Sequence, residues 1–173
     1  MTDPEILRYT QETGDFSRMM ESIPYASWIG LQCDRFGDDL IFRLPAKEEN
    51  LGNPILPAIH GGVIGGFMEM SAAIYLIMSQ DTFRMPRIVD FSLDYLRAGL
   101  NRETYAECRL TRQGNRVANV MISAWQKSRS QPIATARALA AIGAKFRQVS
   151  VRWSPSRSEL DARRTHRSHL YTT

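Results

Sequence analysis

The hydrophobic period of this chain changes near Pro86. Beyond it, apolar and polar positions alternate. Val89, Phe91, Leu93 and Tyr95 stand against Asp90, Ser92 and Asp94, the pattern of a half-buried strand. Ala106, Cys108 and Leu110 against Glu107, Arg109 and Thr111 predict a second strand. Ala118, Val120, Ile122 and Ala124 against Asn119 and Ser123 predict a third, with Gly114-Asn115 as the tight turn between them. Before Pro86 the pattern is helical. From Gly61 to about Ser79, Val63, Ile64, Phe67, Met68, Met70, Ile74, Leu76 and Ile77 point in nearly every direction around the axis, which predicts a helix enclosed by protein, with Glu69 as its only charge. Further upstream, Leu31 to Phe36 and Leu40 to Leu44 flank Gly37-Asp38-Asp39 as a hairpin. Asp15 to Glu21 reads as a short helix with Asp15 at its N-cap, stopped before Pro24. Pro45 to Ile59 reads as a long irregular stretch.

One segment gives two answers. Ile133 to Phe146 is alanine-rich and helical by propensity, yet it follows a Ser130-Gln131-Pro132 turn in a series of antiparallel strands. We assign a strand, with Ala134, Ala136, Ala138 and Ala140 as a small-residue face that can accept the central helix closely. The expected order is helix, hairpin, long loop, buried helix and four strands in meander. That is an α+β fold in which one antiparallel sheet wraps a long central helix.

Composition narrows the picture. At 173 residues the chain is the size of one domain, and its 43% hydrophobic and 23% charged residues are ordinary globular values. No run approaches the roughly 18 apolar residues of a membrane span, so a membrane partner is not expected. The opening Met1-Thr2-Asp3-Pro4-Glu5 carries acid where a signal peptide carries positive charge, so a cytoplasmic protein is expected. Cys33 and Cys108 are too few for a disulfide framework and are expected as two reduced, partly buried thiols. The net charge of +4 sits mostly beyond residue 148. There Arg152, Arg157, Arg163, Arg164 and Arg167 stand against Glu159 and Asp161, which leaves the body nearly neutral. The expected organisation is an N-terminal segment over 1–19, a folded domain over 20–148 and a basic, flexible tail over 149–173. That tail lacks interleaved aromatics, so a nucleic-acid partner is not expected. His166 and His169 lie in the tail, which leaves His60 as the one histidine of the body and disfavours a metal site.

The residues that carry chemistry are concentrated around the predicted buried helix. Pro57-Ala58-Ile59-His60-Gly61-Gly62-Val63-Ile64-Gly65-Gly66-Phe67-Met68-Glu69-Met70, followed by Val89-Asp90-Phe91-Ser92-Leu93-Asp94-Tyr95-Leu96-Arg97-Ala98-Gly99, resembles the hotdog-fold acyl-CoA thioesterases of the PaaI-like type, in the 4-hydroxybenzoyl-CoA thioesterase superfamily. The resemblance covers roughly residues 20 to 146. It implies a hotdog fold, hydrolysis of an acyl-CoA to free acid and coenzyme A, and no cofactor or metal. It also implies a homodimer or homotetramer in which the His-Gly-Gly end of one helix meets the acid of the partner. Carried over, Glu69 is general base or nucleophile, Gly61 polarises the thioester carbonyl, Gly62 assists and His60 orients the site. Relatives often place Asn or Gln six residues before the histidine. Here that position is Pro54, and the adjacent Asn53 takes the role, with Asn50 as a weaker substitute. Relatives also place Ser or Thr one turn beyond the acid, where Ala73 stands. Arg97, Arg112 and Arg116 are candidates for the coenzyme A phosphates.

The chemistry of the residues agrees. Amides at the start of a buried helix point outward with the positive end of the dipole, suited to a developing oxyanion, and glycine allows close approach. A carboxylate in an apolar helix costs several kcal/mol if unpaired, which favours a functional Glu69 over a structural one. His60 reads equally as a helix cap. Gly65 and Gly66 are assigned to close packing, and Met68, Met70 and Met78 to the core before an acyl pocket. Glu69 lies about 13 Å along the axis from His60, too far to serve the same carbonyl. Two other functions fit less well: a non-catalytic acyl-CoA-binding or sensing module, and a hotdog hydratase or dehydratase.

Overall fold

The structure is a computed structural model and describes residues 3–79 and 85–142. The N-terminal segment holds more helix than its pattern suggested. Helix α1 (Pro4–Thr13) starts where the Asp3 side chain accepts the Glu5 N–H, has proline in its first turn, and ends at Gly14 with φ 72°. Asp15 was expected at the N-cap of helix α2 (Ser17–Ser22), but the cap position is Phe16, which has no side-chain acceptor; Asp15 stands one residue earlier, and its Oδ1 accepts the Ser17 N–H at 2.9 Å. Pro24 was expected as a stop but opens helix α3 (Pro24–Ile29), where its fixed φ and missing N–H suit the first turn.

Strands β1 (Gln32–Phe36) and β2 (Asp39–Leu44) form the expected hairpin, turning at Gly37 with φ 65°. The stretch expected to be irregular contains a 3₁₀ turn (Glu48–Asn50) and a two-stranded ribbon of β3 (Leu51–Asn53) and β4 (Ala58–Ile59). The ribbon leads into α4 (Gly61–Met78). Then follow β5 (Arg87–Tyr95), β6 (Thr104–Gln113), β7 (Val117–Trp125) and β8 (Ala134–Ala141). The alanine-rich segment is therefore a strand. The boundary near Val149 and the basic tail lie outside the described residues.

The main sheet is antiparallel in the order β1-β2-β6-β7-β8-β5 and wraps α4 as a hotdog fold. The meander expected over four strands covers only three, β6, β7 and β8. Strand β5 crosses over to pair with β8, with Phe91 opposite Ala138 and Tyr95 opposite Ala134. The connection 96–103 is held across the end of the sheet and does not turn back on β5. The Leu96 and Arg97 N–H groups both donate to the Ile133 carbonyl, Gln126 bonds both backbone groups of Leu100, and the Asn101 N–H donates to the Pro57 carbonyl. This leaves β5 as an edge strand, with Val89 48% exposed and Tyr95 55% exposed.

The core lies between α4 and the concave face of the sheet. Ala134, Ala136, Ala138 and Ala140 of β8 are buried, as are Val120 and Ile122 of β7, and they meet Phe67, Met68, Ile74 and Leu76 of the helix. Burying each such large side chain contributes roughly 1.5–3 kcal/mol. Met68 and Met78 belong to this core, and Met70 is half-buried against it. At 18 residues, α4 is long and apolar enough to cross a membrane by length and composition, contrary to the expectation that no run approaches that limit; 67% of it is buried inside the protein. Cys33 and Cys108 are both free thiols, and burial pushes both well above the ordinary thiol range.

Candidate active site

The start of α4 is fixed from three directions. His60 is its N-cap: Nδ1 accepts the Gly62 N–H at 2.9 Å, while its carbonyl accepts from Val63 and Ile64. The His60 N–H in turn donates to the Asn50 carbonyl at 2.8 Å. From the other side, the Tyr95 phenol donates to the Gly61 carbonyl at 2.6 Å. The ring of His60 thus caps the helix, and the Gly62 amide is engaged by it. The Gly61 N–H has no acceptor among the described residues, which makes it the available donor at the positive end of the helix.

The surroundings are tight. A Cβ at Gly52 would lie 2.6 Å from His60 Cα, so β3 can run against the cap only with glycine there, and a Cβ at Gly61 would lie 3.1 Å from the Tyr95 hydroxyl. Asn50 is buried, and its Nδ2 donates to the Ile29 carbonyl, tying the cap to the end of α3. Its Oδ1 has no partner among the described residues. Asn53 sits on β3 beside this ribbon. Its Oδ1 accepts the N–H groups of Ile55 (3.0 Å) and Leu56 (3.2 Å), which folds the 53–57 turn and leaves Nδ2 to donate outward.

Glu69 is half-buried on the face of α4 that also carries Gly65 and Gly66, and it makes no hydrogen bond or ion pair among the described residues. The bland reading, a carboxylate bonded to neighbouring backbone, is not what the structure shows. Helical rise confirms the separation: on one continuous helix, Glu69 stands about 13 Å beyond His60. The side chain that approaches the Glu69 turn comes from α3. The ring of Tyr25 lies on Gly66, where an added Cβ would fall 2.6 Å from Tyr25 Cε1 and would overlap the phenol oxygen. Burial and the neighbouring Glu69 charge push the Tyr25 phenol above its ordinary value. Gly65 is approached instead by Leu93, at 3.2 Å. The two glycines do serve close packing, but against side chains of α3 and β5.

The candidate arginines separate. Arg97 follows β5 at the Gly61 end of the sheet, exposed, with Nη1 donating to the Pro132 carbonyl at 2.7 Å. Arg116 precedes Val117, which pairs with Ala141, itself opposite Arg87 at the start of β5. That places it a strand length from Tyr95, roughly 26 Å at 3.3 Å per residue. Arg112, opposite Asn119, lies towards the same far end. Within one chain, then, His60, Gly61, Gly62 and Tyr95 are assembled, with Asn53 and Arg97 at the same end. Glu69 and Arg116 are not part of that group. Reasoning from sequence missed Tyr95, Gly52 and Tyr25. Tyr95 had a usable signal, as the last alternating residue of its strand.

Comparison with known proteins follows this geometry. Residues 56–133 match the model of the thioesterase superfamily. A crystal structure of a protein from Chromobacterium violaceum is similar at 38% identity over 80% of this chain and 96% of that one, with a TM-score of 0.67. The chain belongs to the thioesterase superfamily. Its likeness to more distant solved structures is one of fold. A phenylacetic acid degradation-related protein from Ralstonia eutropha is 23% identical over 73% of this chain and 98% of its own, with a TM-score of 0.62. A Streptococcus mutans protein, whose structure was solved with acetyl CoA, is 18% identical over 68% and 91%, with a TM-score of 0.57. No curated protein matches the sequence.

Proposed function

We propose that this protein is an acyl-CoA thioesterase whose site is completed by a second copy of the chain. The observation that carries the reading is the Gly61 N–H, unpartnered at the positive end of a buried helix and approachable because residues 61 and 62 are glycine. A thioester carbonyl oxygen placed there is polarised towards attack. The carboxylate that directs water is Glu69, and helix geometry requires it to come from the other copy. Strand β5, the unpaired edge beside α4, is the surface through which two copies join.

In the reaction, Glu69 takes a proton from water as the water oxygen bonds to the carbonyl carbon. The carbonyl π pair moves to oxygen, where the Gly61 N–H holds the negative charge. Collapse of the tetrahedral adduct breaks the carbon–sulfur bond, and the coenzyme A thiolate leaves with the proton returned from Glu69. His60 acts through the helix cap. Nδ2 of Asn53 is the donor for the water or the thioester, and Arg97 is the cation for a coenzyme A phosphate; the Streptococcus mutans relative with acetyl CoA supports that ligand class. Arg116 reaches this site only if it is supplied across a subunit boundary. The second reading, a binding module without turnover, draws on the Gly62 amide and the Asn53 Oδ1 both being already engaged.

Thiol release from a panel of short, medium, long, phenylacetyl and hydroxybenzoyl CoA esters tests both. The expected result is turnover that falls by at least about a hundredfold in Glu69→Ala, with the fold and assembly intact. Equal rates in wild type and Glu69→Ala would remove Glu69 from the mechanism. Acyl-CoA binding without hydrolysis would favour the binding module.

A further inference from the structure

The proposed mechanism leaves one aromatic residue without a role. Tyr25 stands on α3, outside the segment that matches the thioesterase superfamily, and its ring is laid on Gly66 closely enough that no side chain fits beneath it. Beside it, 6.1 Å between centroids, lies the half-exposed ring of Trp28, which limits the positions open to Tyr25. The phenol O–H has no hydrogen-bond partner among the described residues, although it is an oriented donor. Glu69 is three residues beyond Gly66, so the two positions are neighbours on one helix face. Helical side chains lean towards the N-terminus, so the Glu69 side chain is directed towards the Gly66 side of its turn, where Tyr25 lies.

We infer that Tyr25 is a positioning residue for Glu69: the two groups are neighbours and unbonded to each other in this structure, and in the substrate-loaded site the Tyr25 O–H donates to the carboxylate and fixes which oxygen faces the water. The inference rests on the role proposed for Glu69. The Tyr25 phenol is pushed up chiefly by burial and, in smaller part, by the Glu69 charge, which agrees with that proximity. Among the described residues, the titratable groups that face α4 from the sheet do not compete. From β5 the titratable side chain is Tyr95, already bonded to the Gly61 carbonyl. From β6 it is Cys108, held as a thiol, and the inward positions of β7 and β8 are aliphatic.

Two substitutions separate the hydroxyl from the ring. Tyr25→Phe keeps the packing on Gly66 and removes only the donor; kcat is expected to fall about tenfold with KM and melting temperature unchanged. A second readout needs no substrate. With 13C-tyrosine labelling, the Tyr25 titration midpoint is expected to fall in Glu69→Gln relative to wild type. A Tyr25→Phe protein with wild-type kcat overturns the inference, as does a Tyr25 midpoint that ignores Glu69→Gln. A Tyr25→Ala protein altered only in KM, beside an unaffected Tyr25→Phe, also overturns it, because the ring would then be no more than a pocket wall. Full turnover in Glu69→Gln would remove the parent reading. An inactive Glu69→Gln beside a fully active Tyr25→Phe would remove this inference alone.

Discussion

Adjacent glycines on one turn of α4 answer differently to an added methyl group. At Gly65 the methyl meets Leu93 Cδ2 at 3.2 Å, a contact that Leu93 must relieve by shifting slightly. At Gly66 it displaces the Tyr25 ring, which can swing outwards because that ring is 38% exposed. Alanine inside a helix is favoured over glycine by roughly 0.5–1 kcal/mol. Gly66→Ala should therefore hold or raise the melting temperature while lowering thioester turnover, and a variant that loses both together would show that the Tyr25 contact stabilises the fold. The thiols make a second residue-scale prediction. Burial raises both Cys33 and Cys108, so little thiolate exists near pH 8, and Ellman's reagent should label neither quickly until the protein is unfolded. Fast labelling of the folded chain would contradict their burial. The candidates His60, Gly61 and Glu69 could be picked out from sequence because their signals lie within ten residues of one helix. Tyr25 and Gly52 matter through contacts made by folding that no local pattern marks, whereas Tyr95 closes the alternation of its strand.

Among the elements, those with two-residue alternation are strands as expected, but in β5 an irregularity in register between Ile88 and Asp90 packs Ile88 against the core and leaves Val89 and Tyr95 exposed, against the expected face. The alanine strand β8 was settled by the antiparallel series around it, against its own propensity, and its small face lets α4 lie close. The N-terminal helices were read less well. The signals at Asp3, Pro4 and Gly14 were present in the sequence, and Pro24 can begin a helix as readily as it ends one. Asp15 carries the testable case. The Ser17 backbone N–H, with smaller help from the Ser17 hydroxyl and Tyr9, holds its carboxyl below the usual range. A group depressed in the folded state contributes stability above its unfolded value and loses it as pH falls through the folded one. Asp15→Ala should cost no more than about 0.5 kcal/mol near neutral pH, as for other exposed charged contacts, and the gap to wild type should close below about pH 4. Urea titrations at several pH values would show it. A gap independent of pH would mean that Asp15 does not act through its charge.

At the scale of the whole molecule, the sequence revealed the strands but not their neighbours. Alternation in β5 is the same whether it pairs with β6 or β8. The choice is made by the 96–103 connection, whose backbone bonds reach Ile133, Pro57 and Gln126. The proposed pairing of two copies has a stoichiometric test. Gly61→Val and Glu69→Ala should each be inactive alone. If the site takes Gly61 from one copy and Glu69 from the other, mixed dimers contain one intact site, and an equal mixture should recover about a quarter of wild-type turnover. No recovery after verified subunit exchange would place both groups in one chain. The crossover also sets an order of assembly during synthesis. Helix α4 and strand β5 are synthesised before residues 134–141 exist, and β8 is the strand that pairs with β5. For the time needed to make some forty residues more, at roughly 5–20 per second, the growing chain carries an uncovered apolar helix of membrane-span length beside an unpaired strand. A nascent chain arrested before Ala134 is thus the form of this protein most prone to aggregate or to be held by a chaperone, and β8 is the element that ends that exposure.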